Sequence, residues 1–290
     1  MANNITLAKN YTDLLDEVYK NASVTADLTS DTTMMRAGAN AKEILYPQIS
    51  VSGLGDYDRN SGYTNGSVNV VWKTATFNYD RGTKISVDTM DDQETFNIAF
   101  GMAGATLQRE KVAPEADAFV FATLAGLTGI SKATPATYTN ASDFLPALIE
   151  AKNKMDEEEV PIDNRILYAT PTLLNSVMSL DTTKSREILD TFMVKKAVPQ
   201  SRFYTVIELL DGKSSGEELG HYKKAATGKD INFMIVHKPA IIKFDKHIAS
   251  DIIAPENNPN ADSYISKYRK YGLVDVYKNK VAGIYLSHKA

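Results

Sequence analysis

Apolar residues recur at Leu7, Tyr11, Leu14, Leu15, Val18, Tyr19 and Ala22. That spacing gives one apolar face and predicts a helix over 7–22. The following stretch, "SVTADLTSDTTMMRAGANAKEI", is rich in Thr and Ser and has no period. It predicts an extended arm that docks on another molecule. From Tyr46 the period becomes two. "YPQISVSGL" alternates Ile49 and Val51, then reaches Leu54. "SVNVVWKTATFNYD" sets Val68, Val70 and Trp72 against Val71, Phe77 and Tyr79 and predicts one strand running to Asp80. Such a strand would be about 40 Å long. A two-stranded ribbon of this length is marginal alone in water, so it is expected to lie on another surface.

"DRGTKISVD" continues the alternation at Ile85 and Val87. "TMDDQET" reads as a helix start, with Asp91 as cap and Glu94 completing a capping box. The helix carries Phe96, Ala99, Phe100, Ala103 and Leu107, with small residues that allow close packing. Pro114 should kink or break it before it resumes to Gly126. "KATPATYTNAS" reads as a linker. An amphipathic helix follows over 143–155, then the buried strand "RILYAT". The helix "TPTLLNSVMSL" has Thr170 as cap and Pro171 in its first turn. This alternation marks an α/β-like subdomain. "SRFYTVIEL" and "NFMIVH" are further strands, separated by the surface loop "DGKSSGEELG". The C-terminal part reads as two long strands bracketing "PENNPNAD", and no solenoid repeat is visible.

Composition narrows the function. The chain of 290 residues is 43% hydrophobic and 23% charged, enough to bury a sizeable core. Its 32 Lys plus Arg against 36 Asp plus Glu leave a net charge of −4. That argues against a general nucleic-acid binder, though not against a protein that encloses nucleic acid. With no cysteine there is no disulfide, no Cys-ligated zinc and no Cys nucleophile. The first 20 residues lack a signal-type apolar core, and no apolar run approaches the roughly 20 residues of a membrane span. A soluble protein made in a cytoplasm is expected.

Candidate chemistry is sparse. Asp56, Asp58 and Asn60 match the first ligands of a calcium loop, but the glycine falls one place late, Ser67 stands where a glutamate is needed, and the flanks are β. A polar turn is the favoured reading. His221, His237, His247 and His288 have no metal-ligand spacing. "DEEE" at 156–159 reads as a solvated charge run. No phosphate loop or nucleophile elbow occurs. The charges Asp80, Arg81, Asp88, Asp91, Asp92 and Glu94 crowd a strand-to-helix junction. They could form an acid/base cluster; the structural alternative, preferred here, pairs Arg81 with carboxylates where ribbon meets helix.

The order of elements resembles the major capsid proteins of tailed bacteriophages, whose fold is shared with encapsulins. The local markers are Asp58-Arg59-Asn60, Asp80-Arg81-Gly82, Val87-Asp88 and Met90-Asp91 with Glu94. "QREKVAPEADAF", carrying Arg109, Val112, Pro114, Glu115 and Asp117, and "VPIDNRILYATPTLL" add to it. The resemblance covers most of the chain and is strongest over 53–125. It implies an α+β fold with an N-terminal arm (1–45), an extended β-hairpin loop (46–88), a peripheral domain with a long spine helix (89–135 and 241–290) and an axial domain (136–240). It implies a non-enzymatic shell subunit forming hexamers and pentamers of an icosahedral head around double-stranded DNA. Such a virion protein would assemble in the host bacterial cytoplasm. Scaffolding, portal and decoration proteins would be its other partners, with no cofactor, metal or membrane. No fused scaffolding segment is expected before Met1. Lys73, Lys84, Asn257 and Asn258 are residue types that crosslink in some relatives, but no crosslink is predicted. Candidate inter-subunit contacts are Tyr57, Asp58, Arg59, Tyr63, Trp72, Arg81, Asp88, Glu94, Arg109, Glu115, Asn257 and Asn258. An encapsulin-like nanocompartment is the alternative, with a calcium-binding or enzymatic domain behind it.

Overall fold

The computed structural model describes residues 23–30, 36–37, 42–60, 62–94, 104, 106–180 and 183–290. The expected helix over 7–22 and most of the helix through Phe96–Ala103 lie outside these residues. In chain order the strands and helices are β1 (Arg36–Ala37), β2 (Glu43–Val51), β3 (Val68–Thr76), β4 (Tyr79–Asp88), α1 (Thr89–Glu94), α2 (Ala113–Gly126), β5 (Ser131–Lys132), α3 (Ala141–Glu157), β6 (Arg165–Ala169), α4 (Pro171–Ser179), α5 (Thr183–Asp190), β7 (Val194–Ala197), β8 (Ile207–Leu209), β9 (Tyr222–Lys224), β10 (Ile231–His237), β11 (Ile241–Ile253), β12 (Ser263–Val276) and β13 (Ile284–His288).

The centre is a five-stranded sheet in the order β5-β13-β10-β6-β7. β6 and β10 are buried along their whole length, as expected of strands covered on both faces. On one face Ile166, Tyr168, Met234 and Val236 pack with Phe121 and Leu124 of α2. On the other, Leu167, Phe233 and Ile235 pack with Phe144 and Leu148 of α3 and Leu173 and Val177 of α4. The period-two alternation of β10 thus sends successive side chains into two cores. The predicted helix over 143–155 is observed as α3, capped by Asn140, whose Oδ1 accepts from the Asp143 amide at 3.1 Å. Thr170 occupies the cap position of α4 without using its side chain.

A second, three-stranded sheet has the order β11-β12-β4. The two long C-terminal strands are as read from sequence, but the expected last strand is two. A turn over 277–283 separates β12 from β13, which leaves for the central sheet.

The single strand expected through Asp80 is likewise broken. β3 pairs with β2 to form the ribbon, whereas β4 pairs with β12. The break has a local cause: the Asn78 amide accepts from Val274 N at 3.0 Å and donates to Val274 O at 2.8 Å. Asn78 therefore substitutes for backbone pairing and hands the chain to the other sheet.

Two further expectations are corrected. Asp88 caps α1, its Oδ1 accepting from Met90 N at 2.9 Å, so Asp91 lies within the first turn. Pro114 does not end the helix: a π turn over Gln108–Val112 interrupts the α-helix just before it and runs directly into α2. The wider turn accommodates the ring and the missing N–H that an unbroken α-helix could not.

Candidate assembly surfaces and their anchoring

Among the described residues, the ribbon's buried contacts with the body lie at its base. There Ile44, Tyr46 and Ala75 are buried against Ile242 and Leu273, with Phe77, Phe244 and Tyr277 around them. Farther out, Ile49, Val51, Val68, Val70 and Val71 are all exposed. Trp72 is 40% exposed, with the Arg36 guanidinium 4.8 Å from its ring centroid. Apolar side chains stand in solvent on both faces of one ribbon, an arrangement that marks an interaction surface.

The ribbon tip is a compact polar turn. Asp58 Oδ1 accepts from Asn60 N at 2.7 Å, and Asp58 bridges to Gly62. This is an Asx turn, in which the aspartate serves its own backbone. The Tyr57 and Tyr63 rings pack 4.9 Å apart and both remain exposed, as do Leu54 and Arg59.

Beside β4, charge is organised around Glu115 of α2. Arg81 Nε donates to Glu115 Oε1 at 2.7 Å, and Tyr79 Oη donates to the same oxygen at 3.2 Å. His221 Nδ1 stands 3.6 Å from Oε2, longer than a hydrogen bond, while Arg81 Nη2 donates to His221 O at 3.3 Å. Burial alone would push the Glu115 carboxyl up. His221, Arg81 and Tyr79 outweigh that and hold it below the usual carboxylate range. Arg81 does pair with a carboxylate, but it does so from β4, outside the ribbon, and its partner lies on α2 rather than in the crowded junction. Neighbouring Asp80 instead forms an exposed bidentate pair with Arg269, at 2.9 and 2.8 Å.

A second anchor was not foreseen. Residues 23–30, expected to belong to an arm that leaves the chain, fold onto it. Asp117 of α2, fully buried, accepts from Ser23 Oγ (2.8 Å), Val24 N (3.0 Å), Thr25 N (3.1 Å), Thr25 Oγ1 (2.8 Å) and Arg202 Nη1 (3.2 Å). Lys243 of β11 donates to Thr25 O at 2.7 Å, and Lys196 of β7 donates to Val24 O at 2.9 Å. Burial, with Lys270 nearby, pulls the Lys243 ammonium down to about 8. The segment is corrected from arm to strap. Its Ser and Thr residues, read as linker composition, satisfy a buried carboxylate that would otherwise be costly.

The remaining sequence candidates are dispersed. Arg109 is exposed on the π turn. Asp88 caps α1, and Glu94 ends it, with its side chain outside the described residues. Asn257 lies in the turn between β11 and β12; Asn258 Nδ2 holds that turn by donating to Ser263 O at 3.1 Å. The "DEEE" run is not simply solvated: Asp156 Oδ1 stands 2.7 Å from Nη2 of buried Arg165, and Glu158 accepts from Ser131 Oγ at 2.7 Å.

A β-ribbon leaving the body, the helix α2 packed against β12, a central α/β unit and a pair of long C-terminal strands make up the fold. No protein-family profile and no curated protein sequence matches. Solved structures do. A chain of the virus-like particle from Pyrococcus furiosus matches with a TM-score of 0.59 at 11% identity, over 97% of this chain and 99% of that one. A chain in the capsid structure of the cyanophage P-SCSP1u matches with a TM-score of 0.58 at 12% identity, over 93% and 88%. The mature capsid of bacteriophage PhiM1 gives 0.55 at 12% identity, over 86% and 82%. The protein has the major capsid fold of tailed phages.

Proposed function

We propose that this chain is a non-enzymatic shell subunit that assembles as hexamers and pentamers into an icosahedral phage head enclosing double-stranded DNA. One observation carries the reading: the β2–β3 ribbon exposes Ile49, Val51, Val68, Val70 and Val71, and no other described residue of the chain covers them. A second copy is the occupant that the capsid fold supplies. In this reading residues 46–88 are the extended loop lying over a neighbour, and 136–240 the axial domain. Residues 89–135 with 241–290 are the peripheral domain, and 1–45 the arm region, of which 23–30 is the strap. Tyr57, Asp58, Arg59, Tyr63, Trp72, Arg109 and Asn257 are placed to touch neighbours. Arg81, Asp88, Glu115 and Asn258 hold the surfaces that do. Scaffolding, portal and decoration proteins would be separate partners during assembly in a bacterial host. The net charge of −4 suits a wall that encloses DNA without gripping it.

A nanocompartment shell is the second reading, supported by the near-complete mutual coverage with the Pyrococcus furiosus particle. Expression followed by negative-stain imaging tests both. Closed particles are expected; DNA inside favours the phage head, and a co-purifying protein cargo without DNA favours the compartment. Discrete monomers under all conditions, with scaffold supplied, would contradict either.

A further inference from the structure

A cleft of about 340 Å³ opens between β4, the helical segment 107–115 and the loop 210–221. The loop's own carboxylates bond its backbone. Asp211 accepts from Lys213 N at 2.7 Å and from Ser214 N at 2.8 Å, and Glu218 accepts from Gly216 N at 3.0 Å. At its end Leu219 is 97% exposed at the mouth of the cleft. Holding an apolar side chain in water on an ordered loop prepares it to meet a partner at low entropic cost.

The walls specify that partner. The carboxylates of the cleft are engaged: Glu115 with Arg81, Asp211 and Glu218 with loop amides. Lys84, Lys111 and Lys213 come from three different elements and line the cleft, with no ion-pair partner among the described residues. With Arg81, Lys84, Lys111 and Lys213 set against Glu115, Asp211 and Glu218, the cleft keeps a surplus of one positive charge among apolar walls that include Leu107, Val112 and Leu219. A duplex is too wide to enter a space of this size, so the complement is a narrow acidic segment with apolar or aromatic side chains.

The chain carries such a segment. At the ribbon tip Leu54, Tyr57 and Tyr63 are exposed, and adjacent Asp56 has no bonded partner among the described residues. We infer that the cleft receives the ribbon tip of a second copy, with Asp56 among the three lysines and the tyrosines against Leu219. This rests on the shell reading above and names the receiving surface.

Charge exchange tests it. Lys111→Glu and Asp56→Lys, both at exposed positions, should each lower the assembled fraction at least tenfold while leaving circular dichroism unchanged. The chain carrying both should recover assembly. Because the protein has no cysteine, a Tyr57→Cys, Leu219→Cys variant should also form inter-chain disulfides when assembled particles are treated with a mild oxidant such as oxidised glutathione, read on a non-reducing gel. Normal assembly of both single variants, failure of the double variant to recover, or absence of the inter-chain disulfide overturns the contact. Normal particles of Lys111→Glu that merely retain less DNA would assign the lysines to nucleic acid and overturn it too. A wild-type chain that forms no particles overturns the shell reading itself, and is observed before any variant is made.

Discussion

β10 and β3 invite comparison. Both are strands rich in branched apolar residues, "INFMIVH" and "VNVVWKTAT". β10 is buried at every position, between α2 on one face and α3 and α4 on the other. β3 is exposed from Val68 to Trp72, with Ala75 its only fully covered position. Composition decides that each is a strand; what covers it is decided by the rest of the chain for β10 and, in the shell reading, by another chain for β3. Substitutions in β10 should therefore damage the subunit, and those in β3 the assembly.

The largest effect is expected where burial is complete. Phe233→Ala should lower subunit stability by about 3–5 kcal/mol, because the cavity lies between α3 and the sheet; urea unfolding of unassembled protein measures it. Asp117→Ala should cost about 3 kcal/mol by leaving the part-buried Val24 amide and the buried Thr25 amide without their acceptor. It should also free residues 23–25 to exchange their amide hydrogens. Undiminished protection there would show that Leu28, not Asp117, holds the strap.

Arg81→Ala should cost about 2 kcal/mol, since it strands a mostly buried carboxylate. Acid gives an independent check on the same site. The Glu115 carboxyl is depressed in the folded state, so its stabilisation is present above the ordinary carboxylate range and is lost as pH falls through the folded value. Wild type should lose more stability than Glu115→Gln between neutral pH and about pH 3. Equal losses would place the acid sensitivity elsewhere.

Lys243 has the opposite dependence. Its folded value of about 8 lies below the ordinary lysine value, so between the two the unfolded chain binds more protons. Wild-type stability relative to Lys243→Met should therefore rise with pH from about 8 towards 10. A flat difference would show that the buried amine is not titrating there. The smallest subunit effect belongs to the ribbon. Val70→Ala should change unfolding free energy by under about 0.5 kcal/mol yet reduce assembly measurably. A large loss of subunit stability would erase the contrast between the two strands.

Elements were legible where a period repeats within one window, as in α3, β10 and the long pair β11–β12. The order of elements followed from them, and the α+β class from the resemblance that this order carries. The ribbon's break at Asn78 was not, because its cause is pairing with Val274, 196 residues later. Nor was the strap. Ser23 and Thr25 look like linker residues, and the carboxylate that captures Ser23 lies 94 positions on, within a helix whose acids resemble surface residues. Dense charge correctly drew attention to Arg81, but not to Glu115 as its partner. Local pattern reports what a segment prefers, and long-range polar pairing reports where it goes. The tip residues Tyr57 and Tyr63 were legible as an exposed turn, yet their receiving cleft is built from segments that only the fold brings together.

The central claim, that a second copy covers the ribbon, has a built-in reporter. Trp72 is the single tryptophan of the chain and lies on β3, 40% exposed. Its emission and acrylamide quenching should be followed while particle formation is counted by electron microscopy. The account predicts a blue shift and a fall in quenching that track the assembled fraction. Particles that form while Trp72 stays as accessible as in the free subunit would contradict it.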